Sequence, residues 1–297
     1  MRATPSAYNA VMGDESNWNS FARVNASVRY RRQSAAMGTP MTEAIVAEAA
    51  VLPGMSVLDL ASGTGEPAIT IAVRLQGTGR VVGTDISPDP LRIARQRAQD
   101  RNLHNMEFLE ADAHRLPFPE AEFDRVTCRL GIMFFTDFPA VLRETRRVLK
   151  PGGRATLLAW GPFEQPYFQT TLGTILRLNP ELQMPASGKA MFRFGEAGTL
   201  TSLLTKAGFV EVRERLAEIS WNWPGAPEEM WEWFQAVTVP FRPLFDSIPP
   251  ERRRQVDAEA MAALRTRYRN GEVNFSAQVV LVSGNEPVGR ADAHSNR

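Results

Sequence analysis

The chain has 297 residues, 43% of them hydrophobic and 23% charged, with a formal net charge of +1. That is enough apolar material for one large domain with insertions, and too balanced a charge to draw in nucleic acid or an anionic membrane by field alone. The single cysteine, Cys128, excludes an internal disulfide and fits a reducing compartment, so a cytoplasmic location is expected. The opening MRATPSAYNAVMGDESNW shows no apolar stretch of a signal peptide, and no window reaches the ~20 uninterrupted apolar residues of a membrane span.

In chain order, residues 1–50 read as a helical cover with Trp18, Phe21 and Tyr30 among arginines. The segment ends in an amphipathic helix over 41–52 that Pro53-Gly54 stops. Strands and helices then alternate. Strands are predicted at 56–61, 80–86, 105–112, 123–131 and 153–161. Helices are predicted at 66–76, with Pro67 in the first turn, at 87–101, capped by Ser87, and at 137–150. The proline-rich segment 162–194 reads as irregular; a helix at 196–209 and a strand at 210–223 follow. Residues 225–270 look mostly helical, a last strand occupies 273–284, and the polar tail 285–297 is expected to be disordered. The alternation implies a parallel sheet with right-handed crossovers. The expected organisation is a core domain over 51–284, with insertions at about 162–194 and 224–272 forming a substrate cap.

The stretch GTGEPA, Gly63 to Ala68, satisfies the G-x-G-x-x-G/A pattern of dinucleotide binders. Three readings compete: a dinucleotide site, an S-adenosylmethionine site, and a merely tight strand-to-helix turn. Asp59 precedes the turn and Glu66 lies within it, so a pyrophosphate would meet two carboxylates, whereas a cation would gain from Asp59. Asp85 ends the second strand, 20 residues after Gly65, where a carboxylate can take both hydroxyls of a ribose. Asp112 and Ala113 end the third, where an acceptor and a small side chain suit an adenine. Each aspartate alone could be a helix cap, but three at successive strand ends argue for a nucleoside site.

Four stretches, VLDLASGTG (57–65), VVGTDIS (81–87), FLEADAHRLPFPEAEFDRV (108–126) and LRETRRVLKPGGR (142–154), resemble class I S-adenosylmethionine-dependent methyltransferases. The likeness is greatest to the branch that includes ubiquinone/menaquinone-biosynthesis C-methyltransferases, and it covers roughly 50–160. The resemblance implies an α/β, Rossmann-like, doubly wound seven-stranded sheet with an antiparallel last strand. It implies that Asp59 and the turn of Ala61, Ser62, Gly63, Thr64 and Gly65 hold the methionine end of the cofactor. Asp85 would bind the ribose hydroxyls with Ile86 against the adenine, Asp112 and Ala113 would flank that ring, and Arg129 would touch the methionine portion or the substrate. Ala61 departs from the glycine or cysteine frequent in the family, a change a small side chain should tolerate.

The reaction so implied is in-line displacement of a methyl group onto an O, C or N atom of a small, apolar or aromatic acceptor. No catalytic base announces itself. His104 lies in a surface turn, His114 in the adenine-side loop, His294 in the tail and Cys128 inside a strand. No cluster has metal-ligand spacing, so no metal is expected. MFRF (191–194), WNW (221–223) and MWEWF (230–234) place aromatics in the covering segments, fit either for an apolar ligand or for the cap's own core. After the fourth strand, RLGIMFF lacks the Asn/Asp-Pro-Pro-aromatic motif of enzymes that methylate nucleic-acid amino groups, so a nucleic-acid substrate is not expected. Other readings are a catalytically silent S-adenosylmethionine-binding protein and, less favoured, an NAD-dependent oxidoreductase; a homodimer stays open.

Overall fold

In the computed structural model of the chain, residues 26 and 28–289 are described. Trp18, Phe21, His294 and most of the polar tail therefore lie outside the described residues. The elements are α1 (Arg31–Ala49), β1 (Ser56–Leu60), α2 (Ala68–Arg74), β2 (Arg80–Asp85), α3 (Pro88–Gln99), β3 (Met106–Glu110), β4 (Phe123–Arg129), α4 (Phe138–Val148) and β5 (Leu149–Trp160). There follow α5 (Pro166–Thr170), α6 (Leu172–Leu178), α7 (Ala186–Ala190), α8 (Thr199–Lys206), β6 (Val210–Ser220) and β7 (Trp223–Pro224). The chain continues through α9 (Pro227–Val237), α10 (Arg242–Asp246), α11 (Pro250–Thr266), β8 (Tyr268–Arg269), β9 (Glu272–Val273) and β10 (Ser276–Asn285).

The main sheet has seven strands in the order β3-β2-β1-β4-β5-β10-β6. β1 pairs in parallel with both β2 and β4, β2 with β3, and β4 with β5. β10 runs antiparallel to β5: the N–H of Gly152 donates to the carbonyl of Glu286, whereas the N–H of Gly161 donates to that of Gln278. Antiparallel placement lets the last strand enter the sheet without a crossover helix. The central strand β1 is buried at every position from Val57 to Leu60, as a parallel strand covered on both faces should be. The edge strand β3 buries only Phe108. On α4, Phe138, Val141, Leu142, Thr145 and Val148 recur at helical spacing and turn inward, and the Asp137 carboxylate accepts the Ala140 N–H at 2.9 Å as its cap.

The chain divides into two compact units. Of the described residues, the sheet unit comprises 41–159, 196–216 and 280–289; the other, an aromatic unit, comprises 26, 28–40, 160–195 and 217–279. In the sheet unit, the buried carboxylate of Glu286 takes both the Nε and an Nη of Arg146, at 2.6 and 3.0 Å, just beyond β10. The aromatic unit holds the small sheet β7-β9-β8 and a ring cluster around Tyr167. Tyr167 lies 4.9 Å from Phe168, 5.5 Å from Phe275, 5.8 Å from Phe234 and 5.9 Å from Trp221, centroid to centroid and mostly edge to face.

Several expectations change at element ends. The segment 162–194 is not irregular throughout but carries three short helices of 5, 7 and 5 residues. Pro166 opens the first of these, a position where its missing N–H costs nothing. α1 starts at Arg31 rather than at 41 and keeps Pro40 inside it. α2 starts only at Ala68, with Pro67 at the cap position, and Ser87 caps α3 in backbone alone, its hydroxyl making no capping bond. The strand expected at 273–284 is split between β9 and β10, and the one expected at 210–223 between β6 and β7.

Candidate functional site

All eleven residues singled out as cofactor-binding fall in the sheet unit, at or just beyond the carboxyl ends of β1 to β4. Register does this. Asp59 in β1 stands beside Gly83 in β2 and Thr127 in β4, and Asp85 in β2 beside Glu110 in β3. Because parallel strands end on one side, their last side chains and the loops that follow converge there.

Asp59 is fully buried. Its Oδ1 accepts the Thr127 hydroxyl at 2.7 Å, while Oδ2 has no hydrogen-bond partner among the described residues. Burial pushes this carboxyl up to about 7, against the pull of its hydroxyl partners and of the nearby Arg129. Arg129, at the end of β4, is the complementary case. Its Nε is buried with no acceptor, and burial holds the guanidinium below its usual value while Glu66 and Asp59 pull the other way. An unpaired acid and an unpaired base within each other's field are rare in a native interior, because each such group costs free energy until something pairs with it.

The turn between β1 and α2 has divided roles. Ala61 adopts φ +52°, and the Ser62 hydroxyl donates to the Asp59 carbonyl at 2.9 Å. At Gly63 (φ +52°) a Cβ would meet nothing within 4 Å, so the backbone faces open space there. At Gly65 (φ +109°) a Cβ would lie 2.6 Å from Ile69, so both the backbone conformation and the packing of the helix call for glycine there. Arg97, on α3, straps the turn by donating to the Thr64 carbonyl at 2.5 Å and to Glu66 Oε1 at 2.9 Å, while the other Glu66 oxygen receives the Thr70 hydroxyl at 2.7 Å. Glu66 is thus spent within the protein. The expectation that two carboxylates would repel a phosphate is corrected: the two acids, Asp59 and Glu66, stand in the field of two bases, Arg129 and Arg97. Sequence reading missed Arg97, for which no local signal exists.

Asp85 is held by backbone. Its Oδ2 accepts the Gly63 N–H and its Oδ1 the Ser87 N–H, each at 2.9 Å. Burial raises this carboxyl too, opposed by those backbone bonds. Ile86, next along, is 43% exposed. Asp112 Oδ1 accepts both the backbone N–H and the Nδ1 of His114, at 2.9 and 2.6 Å, and Ala113 is buried behind it. Burial drives the Cys128 thiol well above its usual range, which makes it inert. His104 is exposed. Among the described residues no group of three or more His, Cys, Asp and Glu side chains could hold a metal ion, and no helix is long and apolar enough to cross a membrane.

The model of the ubiE/COQ5 methyltransferase family matches residues 41–217, more than half of the chain. A demethylmenaquinone methyltransferase of Deinococcus radiodurans is 39% identical over 176 residues, which cover 59% of this chain and 70% of that protein. The ubiquinone/menaquinone biosynthesis C-methyltransferase UbiE of Cupriavidus necator is 41% identical over 126 residues, 41% of this chain and 51% of that one. The match therefore spans only about half the length of the Cupriavidus enzyme. Among solved structures, phosphoethanolamine N-methyltransferase 2 of Haemonchus contortus, in complex with S-adenosyl-L-methionine, superposes with a TM-score of 0.52 at 16% identity, over 83% of this chain and 52% of that chain. At that identity the likeness speaks for the fold.

Proposed function

The chain belongs to the ubiE/COQ5 methyltransferase family, and from that premise we propose that it binds S-adenosylmethionine along the ends of β1 to β4 and methylates a small aromatic acceptor. One observation carries the cofactor reading: the unpaired acid of Asp59 beside the unpaired base of Arg129. The amino-acid end of S-adenosylmethionine brings an ammonium and a carboxylate to the same place, so both groups would be paired by one ligand. A pyrophosphate would pair only the base.

The other residues extend the fit. Gly63 leaves its backbone approachable, the Asp85 carboxylate stands at a strand end where it can meet a ribose diol, Ile86 offers an apolar contact, and Asp112 keeps Oδ2 for an exocyclic amine. When bound, the cofactor supplies a methyl group on a sulfonium that loses its charge on transfer, so little electrophilic help is needed. The task left to the protein is orientation and exclusion of water, worth effective molarities of about 10⁵ M or more in favourable cases. The acceptor class follows from the relatives, which act in quinone biosynthesis by name. A ring carbon, activated by a neighbouring hydroxyl, is the expected methyl acceptor.

Two measurements test this. Calorimetry should detect S-adenosylhomocysteine and not NAD; NAD binding without S-adenosylhomocysteine binding overturns the reading. Label transfer from methyl-labelled cofactor should appear in hydroquinones or phenols, and transfer only to amines would move the acceptor class.

A further inference from the structure

His114 stands one residue beyond Ala113, and both of its ring nitrogens have partners. Nε2 lies 3.2 Å from the backbone N–H of Asp137 and 3.3 Å from the Thr136 hydroxyl. A backbone N–H can only donate, so Nε2 must accept, and the ring proton must sit on Nδ1. Nδ1 then donates to Asp112 Oδ1 at 2.6 Å, where the His114 backbone N–H already arrives at 2.9 Å. The ring also packs edge to face on Phe135, with centroids 6.0 Å apart. Its orientation is thereby fixed from three directions: the β3 loop, the residues before α4, and an aromatic face.

The consequence falls on Asp112. Two donors converge on Oδ1, and Oδ2 makes no hydrogen bond among the described residues. A carboxylate at the end of an edge strand, 35% exposed, would otherwise rotate and offer either oxygen. Here it can offer only one, in one direction. We propose that His114 is a positioning residue for purine recognition: as the Nδ1–H tautomer, set by the Asp137 backbone, it locks Asp112 so that Oδ2 alone is presented to the amino group of an adenine. This rests on the proposed cofactor reading and adds its selectivity device. It also explains why His114 is no general base, since neither nitrogen is free to take a proton from an acceptor.

Selectivity, rather than affinity alone, is the test. S-adenosylhomocysteine and S-inosylhomocysteine differ by an amino donor against a carbonyl acceptor at the purine 6-position. The first should bind the unaltered chain roughly tenfold or more tightly, a preference of the size one directed, charge-assisted hydrogen bond confers. His114→Phe keeps the ring contact with Phe135 and removes the ring's hydrogen bonds to Asp112, Asp137 and Thr136. It should weaken S-adenosylhomocysteine by about tenfold and leave S-inosylhomocysteine unchanged, while His114→Gln, with one donor and one acceptor, should keep part of the preference. Parallel weakening of both ligands, or an intact preference in a folded Phe variant, overturns the proposal. Nitrogen-15 spectra of the unaltered chain, which has three histidines, give a second route that needs no variant. A protonated Nδ1 with an unprotonated Nε2 is expected, and the opposite tautomer overturns it. If the unaltered chain binds no S-adenosylhomocysteine, the cofactor reading itself falls, a result separate from either of these.

Discussion

The two units handle buried polar atoms in different ways. Among the described residues, the sheet unit leaves buried atoms of three charged side chains unpaired, Asp59 Oδ2 and Arg129 Nε near strand ends and Glu122 Oε2, besides the hydroxyls of Thr145 and Thr156. In the aromatic unit the unpaired atoms are neutral, Asn179 Oδ1 and the indole nitrogens of Trp221 and Trp223. A buried neutral donor without a partner costs about 1–3 kcal/mol and a charged one more. The sheet unit therefore forgoes stability at a place where a ligand can recover it, whereas the aromatic unit is organised around packing. Substitutions in one should act on ligand affinity, and in the other on folding.

The largest expected effect lies in the aromatic unit. Phe234 is fully buried, with its ring against Tyr167, Trp231 and Phe245. Phe234→Ala should lower unfolding stability by about 3–5 kcal/mol in a denaturant titration and leave the S-adenosylhomocysteine affinity of the folded fraction unchanged. Loss of affinity without loss of stability would erase the distinction between the units.

Asp59→Asn comes next, and its two readouts should move in opposite directions. Cofactor affinity should fall by about 2–4 kcal/mol, the cost of removing one partner of a buried charge contact. Stability without ligand should rise at pH 8, because the amide can still accept the Thr127 hydroxyl without burying a charge. A melting temperature at pH 8 below that of the unaltered chain would show that Asp59 is a structural group instead.

A smaller, titratable effect follows from the same side chain. The Asp59 carboxyl is raised to about 7 from a usual 3.8, so between those values the folded chain holds a proton that the unfolded chain has lost. The stability due to this group is therefore fully present below about pH 4, falls as pH rises toward 7 and levels off above it. An arriving ammonium favours the ionised form. Binding below pH 7 should then release close to one proton and weaken by up to about tenfold per pH unit. Calorimetry in buffers of unlike ionisation heat measures that proton, and its persistence in Asp59→Asn would assign it elsewhere.

What could be read from the chain in advance follows the range of the interactions. Asp59, Asp85 and Asp112 were visible because strand ends in a parallel sheet are set by short-range alternation, and register then places them together. Arg97 was not visible: it reaches the Thr64 carbonyl, 33 positions away, only because α3 packs beside the turn, and without it the charge of Glu66 was misjudged. The role of His114 needed the backbone of Asp137, 23 positions on, which no spacing rule supplies. The helices α5 to α7 escaped because 5 to 7 residues are too few for a helical period to show. The aromatic segments stood out in the sequence, but their partners span residues 167 to 275, so core and ligand surface could not be separated.

The smallest effect concerns the residue at which this chain departs from its resemblance. Ala61 holds φ +52°, a left-handed conformation that costs a residue with a Cβ about 1–2 kcal/mol. Ala61→Gly removes that strain, but the unfolded chain gains freedom worth about 0.4–1 kcal/mol, so the net gain should be about 0.5–1 kcal/mol. The methyl group of Ala61 has room because residue 131 is glycine; a Cβ there would lie 2.5 Å from it. Gly131→Ala should accordingly be destabilising with Ala61 present and less so in the Ala61→Gly background, a coupling that a double-mutant cycle measures. Affinity for S-adenosylhomocysteine should change by no more than a few-fold in Ala61→Gly, because the ligand-facing backbone is that of Gly63. A larger loss would mean that the strained alanine orders the turn for its ligand, and the sheet unit's sacrifice of stability would then extend from its charged side chains to its backbone.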